Sequence, residues 1–74
     1  MNIGIIGSGS YGIALLSSLV KSNNITLYTR FKEEEEYLLK NRKSPKIDYL
    51  IPSKVEITSD NSLLKNKDLI IFAI

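Results

Sequence analysis

Near the start of the chain, Gly7-Ser8-Gly9-Ser10-Tyr11-Gly12 has the residue types and spacing that can hold a phosphate. Each glycine of this Gly-x-Gly-x-x-Gly element has its own mechanical use. Gly7 permits a tight turn out of a strand, Gly9 leaves the backbone bare so that a pyrophosphate can approach, and Gly12 lets a helix pack closely on what precedes it. A helix that opens at this loop turns its free N–H groups and positive dipole end toward the same anion. The spacing also arises by chance, and a glycine-rich turn with no ligand is the competing reading. Context decides between them: a strand before the loop, an apolar helix after it and a second strand beyond.

A second position bears on which dinucleotide would fit. NAD sites carry an acid at the end of the second strand, roughly 20 residues past the loop, to accept the ribose hydroxyls. Here Thr29-Arg30 stands there. With no acid at that point, nothing nearby in the sequence repels a 2′-phosphate, and a guanidinium is available to pair with one. NADP is therefore favoured over NAD. The alternative is that Arg30 is a solvated residue leading into the next helix. The run Glu33 to Glu36 suggests a metal site at first sight, but consecutive helical residues diverge while a metal needs converging oxygens. The chain contains no cysteine and no histidine. That excludes a disulfide framework, a thiolate or imidazole metal site and a Ser-His or Cys-His nucleophile, and leaves no side chain that ordinarily titrates near neutrality.

The elements that must position these residues can be read from the apolar pattern. Asn2 to Ile6 is a nearly continuous apolar run, the mark of a buried parallel strand. Tyr11 to Ser22 has a wide apolar face formed by Ile13, Ala14, Leu15, Leu16, Leu19 and Val20, and reads as a helix packed on a sheet, broken by Asn23-Asn24. Ile25 to Thr29 is rich in β-branched and aromatic residues and makes a second strand. Glu33 to Lys43 makes a second helix with acids in its first turn and bases in its last, an order that suits the macrodipole and allows a Glu36–Lys40 pair. A loop with Pro45 and Pro52 follows, then a brief strand Val55 to Thr58, a helical turn capped by Asp60, and a buried strand Leu69 to Ile74. This alternation predicts an α/β fold, a Rossmann-like doubly wound parallel sheet, partial, with four strands in the order 3-2-1-4.

With 74 residues, one domain is the ceiling, and a unit of this size buries only roughly 60% of its unfolded surface. Hydrophobic residues are 43% and charged residues 24%, as in an ordinary soluble protein. The net charge of +2 is too small to argue for nucleic acid or an anionic membrane as a partner. The apolar runs fall far short of the roughly 20 residues of a membrane span. The start of the chain lacks the basic and small-residue features of a signal peptide, so a cytoplasmic location is expected.

The finer wording of the motifs resembles one family. Gly9-Ser10-Tyr11-Gly12 followed by Ala14-Leu15 is similar to the Gly-Ser-(Trp/Tyr)-Gly-Thr-Ala stretch of bacterial glycerol-3-phosphate dehydrogenases. Ile25 to Arg30 resembles that family's second strand with its terminal basic residue. Asn41 with Asp48-Tyr49-Leu50-Ile51-Pro52 is similar to its Asn-x-x-x-x-Tyr-Leu-Pro segment, and Thr58-Ser59-Asp60 and Lys67 to Ile74 to its Thr-x-Asp turn and fourth strand. Two departures are an Ile13 where threonine is usual and a shortened loop around Ile51-Pro52.

The resemblance implies that Ser10, Tyr11 and Arg30, and more weakly Tyr49, contact an NADP or NAD cofactor along with Gly7, Gly9 and Gly12. For Tyr11 the alternative is an aromatic packed on the sheet at the helix start, and for Tyr49 a loop aromatic covering the core. It also implies the reduction of dihydroxyacetone phosphate to glycerol 3-phosphate for phospholipid synthesis. Residues 1–74 would be a partial N-terminal dinucleotide-binding domain. The family's Pro-Ser pair, its substrate lysine and its helical catalytic domain find no match here, so the 74-residue chain alone is expected to be inactive and marginally stable. Competing readings are a fragment of another NADP-dependent reductase of the ketopantoate reductase kind, a non-catalytic dinucleotide-binding module, and a truncated product.

Overall fold

Ile3 and Ile5 alternate with Gly4 along the first strand, so one face of the sheet receives bulk while the other stays flat at its centre. In the computed structural model, which describes residues 1–73, the elements are β1 (Asn2–Ile6), α1 (Ser10–Leu19), β2 (Asn24–Tyr28), α2 (Lys32–Asn41), β3 (Glu56–Thr58), a 3-10 turn (Asn61–Leu64) and β4 (Leu69–Phe72). The strands form one parallel sheet in the order β3-β2-β1-β4, as the sequence predicts. Register pairs Ile3 with Ile25 and Leu69, and Ile5 with Leu27 and Ile71.

The core lies on the face of Ile3, Ile5, Ile25, Leu27 and Ile57, where Ile13 and Leu16 of α1, Val20 just past its end and Leu38 of α2 are buried against it. On the opposite face the 3-10 turn lays Leu64 over Gly4, so closely that a Cβ on Gly4 would stand 2.9 Å from Leu64 Cδ2. Asp60 caps that turn, its carboxylate accepting from the Ser62 amide at 3.0 Å. Among the described residues no helix is long and apolar enough to cross a membrane.

Several boundaries differ from expectation. The first helix stops at Leu19 rather than Ser22, because Asn23 Nδ2 takes the Leu19 carbonyl at 2.9 Å and turns the chain into β2. The second stops at Asn41, because Arg42 adopts the left-handed conformation at φ 53°. The Glu36–Lys40 pair does not form; on α2 the ion pair is Lys32–Glu35 at 3.1 Å. β4 stands at the edge of the sheet, as the order 3-2-1-4 requires: β1 pairs with it on one side, and no described strand pairs with the other. Leu69, Ile70 and Phe72 are exposed there, so only the reading of this run as buried is not met. Ile74, expected in that strand, lies outside the described residues.

Arg42 also fastens the loop that follows. Its carbonyl accepts from the Ile51 amide at 2.7 Å, and its guanidinium donates to the carbonyls of Pro52 at 2.8 Å and Val55 at 2.9 Å. Ile51 and Val55 are thereby delivered buried to the core beneath α2. Arg42→Ala leaves the backbone conformation as costly as before but deletes both guanidinium bonds. It should lower the unfolding free energy by about 1.5–3 kcal/mol. Arg42→Gly loses the same bonds yet relieves the left-handed backbone, and should recover roughly 1 kcal/mol of that loss. Urea unfolding of the two variants checks both the loss and the order, and an alanine variant as stable as the parent would contradict the tie.

Candidate functional site

Parallel strands end together, so the carboxyl ends of β1, β2 and β4 meet at one edge of the sheet. Backbone bonds extend the ladders past the strands and hold that edge: Gly7 N–H donates to Tyr28 O at 2.9 Å, Thr29 N–H to Thr58 O at 3.0 Å and Ala73 N–H to Ile6 O at 2.8 Å. Chain order reverses between β1 and β4, the point at which open α/β sheets form a crevice for ligands.

The three glycines of the loop differ in what requires them. Gly7 has φ 119°, a conformation open to glycine and strained for other residues. Gly12 is buried, and a Cβ there would fall 2.1 Å from the Gly7 carbonyl oxygen. Gly9 is different. Its φ of −72° and ψ of −172° suit any residue, and a Cβ on it would meet nothing within 4 Å. No protein contact calls for glycine at position 9, and the space above it is open. Gly9 is also the N-cap of α1 and supplies no capping side chain, so the first-turn amides of α1 are left without a side-chain partner.

Above the loop lies an open cleft of about 700 Å³. Of the residues singled out in the sequence, Gly7, Gly9, Ser10, Tyr11 and Arg30 line it. Tyr11 is 63% exposed and is not packed on the sheet. Gly12 lies beneath the cleft rather than on its wall. Tyr49 is not brought to it: the ring is half-buried against the core, within the loop that Arg42 fastens.

Charge in the cleft is of both signs. The Arg30 guanidinium sits 4.9 Å from the centre of the Phe31 ring, a cation–π arrangement that limits where it can point. Lys46 also reaches the cleft wall. The ion pairs among the described residues are Lys32–Glu35 and Lys43–Asp48, so neither cation in the cleft is neutralised by a carboxylate. Against them stands Glu34, from the first turn of α2, with Oε1 accepting from the Ser8 hydroxyl at 2.5 Å and from the Thr29 hydroxyl. Both donors are nearly buried. This corrects the reading that the end of β2 is free of acid: the acid arrives from the next helix. Its neighbour Glu35 points elsewhere, accepting from Ser59 Oγ at 2.8 Å, and that hydrogen bond, followed by Lys32, holds its carboxyl below the usual range.

Fold and site together define a dinucleotide-binding α/β unit of the Rossmann kind. The chain belongs to the family described as the NAD-dependent glycerol-3-phosphate dehydrogenase N-terminus, which matches residues 2–74. It is similar to glycerol-3-phosphate dehydrogenase [NAD(P)+] of Leptospira biflexa, 38% identical over 77 residues that cover 99% of this chain and 23% of that protein. The enzymes of the same name from Rickettsia felis and Fusobacterium nucleatum are 34% and 35% identical, over 24% and 23% of their lengths. The chain thus spans about a quarter of the relatives it matches. No solved structure gives a significant match.

The contrast between Gly9 and Gly12 can be measured without any ligand. Gly12→Ala forces a methyl group onto the Gly7 carbonyl and should cost about 1–3 kcal/mol or more of stability. Gly9→Ala meets no atom; the gain through the unfolded chain is offset by alanine's being a poorer N-cap than glycine, so stability should stay within about 1 kcal/mol of the parent. Denaturant midpoints of the two variants would reveal the difference, and equal losses would mean that position 9 is sterically required after all.

Proposed function

We propose that this chain is the cofactor-binding part of an NAD(P)-dependent sn-glycerol-3-phosphate dehydrogenase, which interconverts dihydroxyacetone phosphate and glycerol 3-phosphate for phospholipid synthesis in the cytoplasm. The observation that carries the reading is Gly9: its missing side chain answers to no protein atom and opens onto a cleft beside unbonded helix amides. A pyrophosphate is the group that such a cradle suits. The names of the relatives, and the match over nearly the whole chain, support the same reading.

In this proposal the pyrophosphate lies over Gly9 against the amides of Ser10 and Tyr11. Arg30 faces the adenosine ribose, where it can pair with the 2′-phosphate of NADP. The hydride chemistry is the nicotinamide's own, and what these residues contribute is binding and orientation. The groups that act on the substrate are proposed to lie outside residues 1–74, in keeping with the quarter-length match to the relatives.

Calorimetry with NADPH and NADH tests the cradle. Gly9→Val should abolish binding of both while leaving the circular dichroism of the fold unchanged. Undiminished affinity in that variant would refute the assignment.

The ribose contact has its own test. Arg30→Ala should weaken NADPH binding by about 1.5–3 kcal/mol, the range for charged hydrogen bonds, and NADH binding much less. Equal losses for the two would remove Arg30 from the 2′ position.

A further inference from the structure

We infer that Glu34 is a second specificity-determining residue of the cleft, acting on the 2′ position of the adenosine ribose in opposition to Arg30. The inference rests on the proposal that the cleft takes a dinucleotide. Its own ground is the way the carboxylate is held. Oε1 receives hydroxyl bonds from two separate elements, Ser8 of the glycine loop and Thr29 at the end of β2. Those contacts fix the carboxylate across the gap between loop and strand, on the cleft wall that also carries Arg30. Among the described residues Oε2 accepts no hydrogen bond, which leaves an anionic acceptor free for a further donor.

A ribose 2′-hydroxyl is such a donor, and a carboxylate at that point is how NAD sites read it. A 2′-phosphate brings like charge to the same oxygen and is disfavoured. Arg30 has the reverse preference, since a guanidinium gains most from the phosphate. With both residues on one wall, the cleft admits either dinucleotide, and the ratio between them is set by two opposed charges.

The seat of Glu34 also ties α2 to the loop, so the test must separate charge from structure. Glu34→Gln keeps an oxygen that can accept from Ser8 and Thr29 and removes only the charge. In calorimetric titrations of the full chain with NADPH and with NADH, this variant should shift the affinity ratio toward NADPH by on the order of tenfold or more. NADH binding should be unchanged or weaker. A residue that merely braced the loop would alter both cofactors alike, so an unchanged ratio with both still bound overturns the inference and leaves the dinucleotide reading intact. Should Glu34→Gln fail to fold, as judged by circular dichroism, Glu34→Ser carries the same expectation and the same refutation. Parent chain that binds neither cofactor would overturn the dinucleotide reading itself, and the inference with it. A double-mutant cycle with Arg30→Ala adds a further check: charges that meet at one phosphate give non-additive NADPH affinities, whereas additive ones would place Glu34 away from the 2′ position.

Discussion

The start of α1 and the peptide at Gly7 are so close that no methyl group fits between them, and the rest of the site depends on that approach. It fixes the helix axis against the end of β1, so that the first-turn amides stand over the sheet edge rather than out in water. It also requires the turn at φ 119°, because only a sharp reversal after Ile6 brings the chain back under its own helix. Two of the three loop glycines are thus consumed by one internal contact. The third, Gly9, takes no part in that contact, and a Cβ on it would meet no protein atom within 4 Å.

The charges on the cleft wall are not paired with one another. Arg30 is oriented by an aromatic ring rather than by a carboxylate, and Lys46 has no partner among the described residues. Glu34, by contrast, is bonded by neutral hydroxyls that localise its charge without cancelling it. Pairing Glu34 with either cation would have quenched both charges. Holding them apart on one wall keeps each available to a ligand, and exposure to solvent keeps the mutual repulsion or attraction modest.

The strands β1 and β2 were legible as short runs rich in apolar residues, and the order of all four follows from alternating strands and helices joined by right-handed crossovers. Gly7, Gly9 and Gly12 were legible as a motif, though only coordinates separate the glycine that opens a space from the two that close one. Helix ends were less so. Asn23-Asn24 marks the break after α1 but not that the bond from Asn23 Nδ2 falls on the Leu19 carbonyl, and nothing local says that Arg42 will turn left-handed and bind Pro52 and Val55, ten and thirteen residues on. The acid at the end of β2 was hidden for a related reason. Four consecutive glutamates give no means of choosing the one whose side chain reaches back to Ser8, 26 residues away. For Tyr49 the motif suggested a contact and the alternative was a loop aromatic covering the core; the fastened loop turns the residue toward that core, the second of the two readings.

The two ends of the sheet show why the site is where it is. At the amino ends polar groups satisfy one another. The terminal ammonium donates to Asn23 Oδ1 at 3.2 Å, Asn24 Nδ2 to Asn2 Oδ1 at 3.1 Å, and Asn2 and Asp68 exchange bonds of 2.7 Å through amide, carboxylate and carbonyl. At the carboxyl ends the same sheet leaves helix amides, a guanidinium, an ammonium and one carboxylate oxygen open to a cleft. Parallel strands do not by themselves create that asymmetry, because each end presents similar backbone groups to the loops. The side chains make the difference: asparagines and an aspartate close one end, and a glycine without a protein neighbour holds the other open.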